Sequence, residues 1–119
     1  MIDTNLAKRE AQFAEIIWEY APLSSPELVK IAEEKLNWKK STTYTMLKIL
    51  CDKGIFKNEK AWVTVLVTKE ELGYLRSKKL IEESYNGSLP AFLAAFTTRS
   101  ELSKEEIKDL YSLLDSYSK

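Results

Sequence analysis

The chain contains no histidine and only one cysteine, Cys51, among its 119 residues. Histidine is the commonest general base and the commonest metal ligand, so its absence argues against an enzyme and against most metal sites. A single cysteine excludes an intramolecular disulfide and any metal site built from several thiolates. We therefore expect no catalytic residue, no metal and no cofactor.

Glycine and proline are scarce, at three residues each, which is too few for a β fold with many turns. No apolar run approaches the roughly 20 residues that cross a bilayer, and the N-terminus lacks the apolar stretch of a signal peptide. The hydrophobic fraction of 45% is ample for a folded core. These features predict a soluble, cytoplasmic protein with one compact domain or a small domain plus an appendage.

Charge is balanced over the whole chain but not along it. The formal net charge is 0, which argues against a protein that holds nucleic acid through bulk positive charge alone. Between Leu36 and Lys60, however, six lysines stand against only Asp52 and Glu59. A neutral chain with one basic segment is typical of a specific DNA-binding protein.

The first half follows the element order of a winged helix-turn-helix domain. Apolar residues recur at helical spacing in three segments, and two β-prone runs follow them. Ser25 as N-cap and Pro26 at the first helical position open the second helix, and Gly54 ends the third. The predicted helices span about 5–20, 25–36 and 40–53, and the predicted hairpin strands are 55–57 and 62–67, joined by 58–61.

The third helix has the two faces that a recognition helix needs. Thr43, Leu47 and Leu50 lie on an apolar side, and the opposite side carries Ser, Thr, Tyr and Lys. Short polar side chains and lysines can reach base edges and phosphates in the major groove. The residues predicted to contact DNA on this helix are Lys40, Ser41, Thr42, Tyr44, Thr45 and Lys48, with Tyr44 donating to a phosphate or packing along the groove wall. Lys39, Lys57 and Lys60 are predicted to contact phosphates, which set position and salt dependence.

The second half is predicted to be helical. The capping boxes Thr68-Lys69-Glu70-Glu71 and Ser103-Lys104-Glu105-Glu106 begin its first and last helices, and a short apolar helix from Ser88 to about Thr98 lies between them. Three short helices cannot bury wide apolar stripes alone, and a second copy is the simplest partner. The predicted domains are 1–67 for DNA binding and 68–119 for dimerisation, and the fold class is mainly α with a small β-hairpin. The predicted dimer-interface residues are Leu72, Leu75, Phe92, Leu93, Phe96, Ile107, Leu110, Tyr111, Leu114 and Tyr117.

Three stretches resemble the penicillinase-repressor family (BlaI/MecI/CopY) over nearly the whole chain. They are W-K-K-S-T-T-Y-T-M-L-K-I-L-C-D-K-G from Trp38 with the hairpin after it, N-G-S-L-P-A-F-L-A-A-F from Asn86, and L-S-K-E-E-I-K-D-L from Leu102. The resemblance implies a homodimeric winged-helix repressor that occupies a dyad operator of resistance or metal-homeostasis genes, and that is released by an inducing signal.

In the family's β-lactam-responsive branch, a membrane sensor's protease activity leads to cleavage in the C-terminal half. The matching bond in this chain is Ala95-Phe96, with Ala95 where relatives carry Asn. The copper-responsive branch carries a C-terminal Cys-x-Cys motif, and residues 100–119 contain no cysteine, so we do not expect copper sensing by that route.

Two other functions stay open on the sequence. A winged-helix regulator of another class would bind an effector between the two halves, where Tyr74, Tyr85 and Phe92 could line a pocket. A winged-helix module that binds another protein would show no salt-dependent binding to any duplex. Cys51 is expected to be a semi-buried apolar residue, with a redox switch as the alternative.

Overall fold

The structure, a computed structural model, describes residues 2–118. Within these residues the chain forms six helices and a small antiparallel sheet, and the predicted fold class is confirmed. The helices are α1 (Lys8–Tyr20), α2 (Ser25–Leu36), α3 (Lys40–Asp52), α4 (Lys69–Tyr85), α5 (Leu89–Thr97) and α6 (Lys104–Tyr117). The strands are β1 (Leu23–Ser24), β2 (Phe56–Glu59) and β3 (Trp62–Val65).

The chain divides into two compact units, Met1–Ser77 and Lys78–Lys119, and α4 contributes residues to both. The division falls inside α4 because Leu72, on its first turns, is buried in the core of the first unit. The functional boundary between Val67 and Thr68 stays a prediction.

The core of the first unit joins all three N-terminal helices to the sheet. Phe13 and Ile17 of α1, Leu28 of α2 and Leu50 of α3 are completely buried, and Val63 of β3 closes the core from the sheet side. Burial of these large side chains, each contributing about 1.5–3 kcal/mol, stabilises the unit.

Helix α1 begins at Lys8, three residues later than the predicted start at Asn5. The Glu10 side chain accepts a hydrogen bond from the backbone N–H of Ala7 at 3.1 Å, which fixes the helix start at this point. Residues 2–7 therefore precede the helix without regular secondary structure, and Thr4 in this segment is buried.

Helix α2 is capped by Ser24, and the prediction of Ser25 as N-cap is wrong by one residue. The Oγ of Ser24 accepts the backbone N–H of Glu27 at 3.2 Å, and Pro26 is the second helical residue, not the first as predicted. The shift arises because Leu23 and Ser24 are held extended in β1, which pairs with Val63 and Trp62 of β3. The helix can start only after this short strand, at Ser25.

The sheet has the strand order β1-β3-β2, so the hairpin gains a third strand that the sequence did not predict. Glu59 pairs with Trp62, which leaves only Lys60 and Ala61 in the turn. Both turn residues have positive φ, 52° and 61°, as a type I′ turn requires. The predicted four-residue connection is therefore wrong, and we call β2, this turn and β3 the wing.

In the second unit, the predicted capping box at the start of α6 is confirmed. Ser103 Oγ accepts the N–H of Glu106, and Glu106 Oε1 accepts the N–H of Ser103, both at 3.0 Å. Ser88 caps α5 in a similar way, accepting the N–H of Ala91 at 3.1 Å. Of the described residues of α5 and α6, none is buried within the chain.

A membrane-spanning helix would need greater length and apolarity than any helix among residues 2–118 has.

Candidate nucleic-acid interface

Helix α3 is held by one face, which leaves the opposite face open. Thr43, Leu47 and Leu50 are buried against the core, whereas Thr45 and Lys48 are exposed. The helix start is fixed by Trp38, whose ring packs against Phe13 with centroids 5.1 Å apart. A rigidly seated helix with an open polar face has the form of a major-groove recognition element.

The residues predicted to contact DNA fall into two groups by exposure. Thr42 and Tyr44 are half-buried. The exposed members are Lys39, Lys40, Ser41, Thr45, Lys48, Lys57 and Lys60. The fold therefore places these predicted residues on α3, directly before it at Lys39, and on the wing, within the first unit.

Two of the exposed lysines carry weak internal partners. Lys48 pairs with Asp52 at 3.0 Å, and Lys57 pairs with Glu59 at 2.8 Å, all with largely exposed side chains. The hydrogen bond from Lys57 lowers the pKa of the Glu59 carboxyl, so this acid stays ionised. Exposed ion pairs of this kind contribute little to stability, and a phosphate can replace the carboxylate at little cost.

The hydroxyl of Tyr44 forms a hydrogen bond within the first unit. The hydroxyl donates to Ser25 Oγ at 3.2 Å, and the backbone N–H of Ser25 donates to the carbonyl oxygen of Ala61 at 2.9 Å. The ring is half-buried and packs against the core cluster. A contact between Tyr44 and DNA stays a prediction, with the hydroxyl hydrogen directed to Ser25 in this arrangement.

Lys53 belongs to the basic segment of the sequence but is used internally. Its Nζ donates to Glu10 Oε1 and to the carbonyl oxygen of Asn5, both at 2.6 Å. The Lys53 and Glu10 side chains are only 19% and 15% exposed. The hydrogen bond from Lys53 holds the pKa of the Glu10 carboxyl below its ordinary value. Lys53 therefore links the end of α3 to the N-terminal segment and adds nothing to the open face.

Cys51 is half-buried on α3. Burial raises the pKa of its thiol, and the neighbouring Asp52 carboxylate raises it further. Both effects disfavour the reactive thiolate, in keeping with a packing role. Among residues 2–118, no group of three or more cysteine, aspartate and glutamate side chains is placed to hold a metal ion.

The predicted dimer-interface residues are divided between the two units. Leu72 is buried in the first unit's core and Leu75 packs against it, so neither forms an exposed apolar surface. In the second unit, an open apolar groove of about 380 Å³ is lined mainly by Phe92, Leu93, Phe96, Leu102, Leu110 and Leu113. The other predicted interface residues, Ile107, Tyr111, Leu114 and Tyr117, are exposed on α6.

The predicted scissile bond lies near the end of α5. Ala95 and Phe96 are both exposed, and the Phe96 side chain is 48% accessible. The bond is helical, so a protease that binds extended substrate would first have to unwind the last turn of α5.

Three packed helices, the third with an open polar face, and a wing after it define a winged helix-turn-helix DNA-binding protein. The chain matches the family model described as Penicillinase repressor over residues 6–116. It belongs to the penicillinase repressor family, whose members are DNA-binding transcriptional repressors and not enzymes.

The chain is similar to named relatives along almost its full length. It is 27% identical over 116 residues to the Penicillinase repressor of Bacillus licheniformis, covering 94% of this chain and 91% of that protein. It is 25% identical over 114 residues to the Methicillin resistance regulatory protein MecI of Staphylococcus aureus, covering 92% and 93%. An uncharacterized 16.5 kDa protein of Latilactobacillus sakei is 28% identical over 109 residues, covering 88% and 75%.

Proposed function

We propose that the protein is a homodimeric repressor that occupies a dyad operator and reads one half-site with each α3. The observation that carries the proposal is the open Ser41, Thr45 and Lys48 face of α3, presented by a core that buries the opposite face. The two half-sites would lie about one helical turn, or a multiple of it, apart. Since relatives are named for penicillinase and methicillin resistance, we propose antibiotic-resistance genes as the regulated genes.

The residues of this surface are proposed to have two different roles in DNA binding. Lys39, Lys40, Lys57 and Lys60 contact phosphates and supply affinity that depends on salt. Ser41, Thr42, Thr45 and Lys48 reach base edges and supply sequence preference. These two roles give different signatures in a binding experiment, because phosphate contacts act on every duplex and base contacts act on the operator.

The experiment that tests this function is a footprint on the promoter upstream of the protein's own gene, followed by salt titrations with variants. Thr45→Ala is expected to relax the preference at defined base pairs, with Lys39→Ala as the matched phosphate variant. If neither substitution changed binding to any duplex, α3 would not be the recognition helix and the protein-interaction alternative would replace this proposal.

The second unit supplies the dimer contact. Its groove and the exposed apolar residues of α5 and α6 form one apolar surface, and a second copy would cover this surface symmetrically. Leu110→Asp is expected to split the dimer and to lower operator affinity together. The measurement is sedimentation equilibrium beside operator binding, with Ser112→Asp on the same helix as a control for added charge. An intact dimer in the Leu110 variant would show that this face is not part of the dimer interface.

Release from the operator is proposed to follow cleavage of Ala95-Phe96 through a membrane sensor's protease system. The exposure of both residues on α5 supports this site. An immunoblot of cells exposed to a β-lactam should show a fragment that ends at Ala95, and Ala95→Asp/Phe96→Asp should abolish it. An intact chain under induction of the regulated genes would favour another signal, such as an effector bound by a ligand-responsive regulator.

A further inference from the structure

Three elements of the first unit meet at Ser25, which is only 3% exposed. Its backbone N–H donates to the carbonyl oxygen of Ala61 in the wing turn at 2.9 Å. Its Oγ accepts the hydroxyl of Tyr44 from α3 at 3.2 Å. The first residue of α2 is therefore a direct hydrogen-bonded link between the candidate recognition helix and the tip of the wing.

The turn that this link holds has an unfavourable backbone for its residues. Lys60 and Ala61 both have positive φ, and L-residues with a Cβ disfavour that region, which type I′ turns normally fill with Asn or Gly. A conformation of this kind persists where surrounding contacts fix it, and such positions cluster at functional sites. Here the surrounding contacts include the hydrogen bond from Ser25, and the strained turn presents Lys60 at the tip.

We infer that Tyr44 is a positioning residue for DNA binding, acting through Ser25 to fix the wing tip and its Lys60 relative to α3. The inference rests on the proposed function, because it concerns the same operator complex. It assigns the Tyr44 hydroxyl a role inside the protein in place of a phosphate contact. Lys60 then contacts the phosphate backbone with full effect only while the Tyr44–Ser25–Ala61 link is intact.

A double-mutant cycle in operator binding tests the inference. Tyr44→Phe removes only the hydroxyl, and we expect it to lower operator affinity about fivefold, the effect of one hydrogen bond. In a Lys60→Ala background the same substitution should lower affinity less than about twofold, because the positioned group is gone. Ser25→Ala removes the acceptor of the same bond and should reproduce both results, so it replaces Tyr44→Phe if that variant fails to fold.

Thr45→Ala serves as the matched control one residue further along α3. Its side chain is exposed and belongs to the α3 surface, so its effect and that of Lys60→Ala should multiply. An equal loss from Tyr44→Phe in both backgrounds would show direct DNA contact and overturn the inference, as would no loss in the otherwise unaltered protein. If Thr45→Ala and Lys60→Ala both left operator affinity unchanged, the proposed function would have failed instead.

Discussion

The ion pair between Lys53 and Glu10 gives a prediction about stability that separates charge from packing. Glu10→Gln removes the negative charge but keeps an oxygen that can accept the N–H of Ala7. Lys53→Met keeps the aliphatic stem but removes the ammonium and its bond to the Asn5 carbonyl. Each substitution leaves the opposite charge in a site where the two side chains are 15–19% exposed.

The magnitude follows from that partial burial. Removing one partner of a fully buried ion pair costs about 3–5 kcal/mol, because the remaining charge is desolvated without compensation. Residual solvent reduces this penalty, so we expect each single substitution to lower the free energy of unfolding by about 2–3 kcal/mol. The double variant leaves no unpaired charge, and it should cost less than the two single variants together by about 1–2 kcal/mol.

The assay is urea denaturation of the two single variants and the double variant at one fixed protein concentration, since the proposed dimerisation would also stabilise the fold. Lys48→Met is the matched control, because Lys48 forms an ion pair of similar length, 3.0 Å, between exposed side chains. It should change stability by less than about 0.5 kcal/mol. If the losses in free energy of unfolding were strictly additive in the Glu10 and Lys53 variants, the reasoning would be refuted. The two residues would then stabilise the protein independently, through packing and not through their ion pair.

Three further predictions concern pH, the wing and the phosphate contacts. The pKa of Glu10 is lowered in the folded chain from an ordinary value of 4.5, so its stabilisation is present above that pH and is lost as the pH falls through the folded value. Urea melts between pH 7 and pH 3 should therefore show a smaller difference in stability between Glu10→Gln and the unaltered chain as the pH falls, and a constant difference would contradict this. Ala61→Gly should raise the free energy of unfolding by about 0.5–1 kcal/mol, since relief of the positive φ exceeds the added unfolded-state entropy; a lower urea midpoint would count against a type I′ turn. Lys39→Ala should weaken operator and random duplexes about equally and reduce the slope of log K against log salt by up to about 1, whereas a loss confined to the operator would indicate base contact.

The elements defined by local chemistry were predictable from the sequence. The Thr68 and Ser103 capping boxes form the reciprocal hydrogen bonds that their spacing predicts, because donors and acceptors lie within one helical turn. Helix α3 also begins at Lys40 as predicted, and its buried residues include Thr43, Leu47 and Leu50 of the predicted apolar face.

The features that depend on distant partners were not predictable in the same way. Strand β1 has two residues, too few for an alternating pattern, and exists because β3 pairs with it. The type I′ turn has Lys60 and Ala61 where local preference would place Asn and Gly. Lys53 counts toward the basic segment, and its internal use was not predictable because its partner, Glu10, lies 43 residues earlier in the chain. In each case tertiary contacts outweigh the local signal.

The exposure of helices α5 and α6 has a consequence for how the stability of the protein depends on its concentration. None of their described residues is buried within one chain, and α6 carries Tyr117 with 79% of its surface exposed. If a second copy covers these helices, dilution removes the cover, and their stability then depends on subunit concentration. A dispersed subunit would present unpacked helices to general cellular proteases, so a shortage of the repressor would accelerate its own removal.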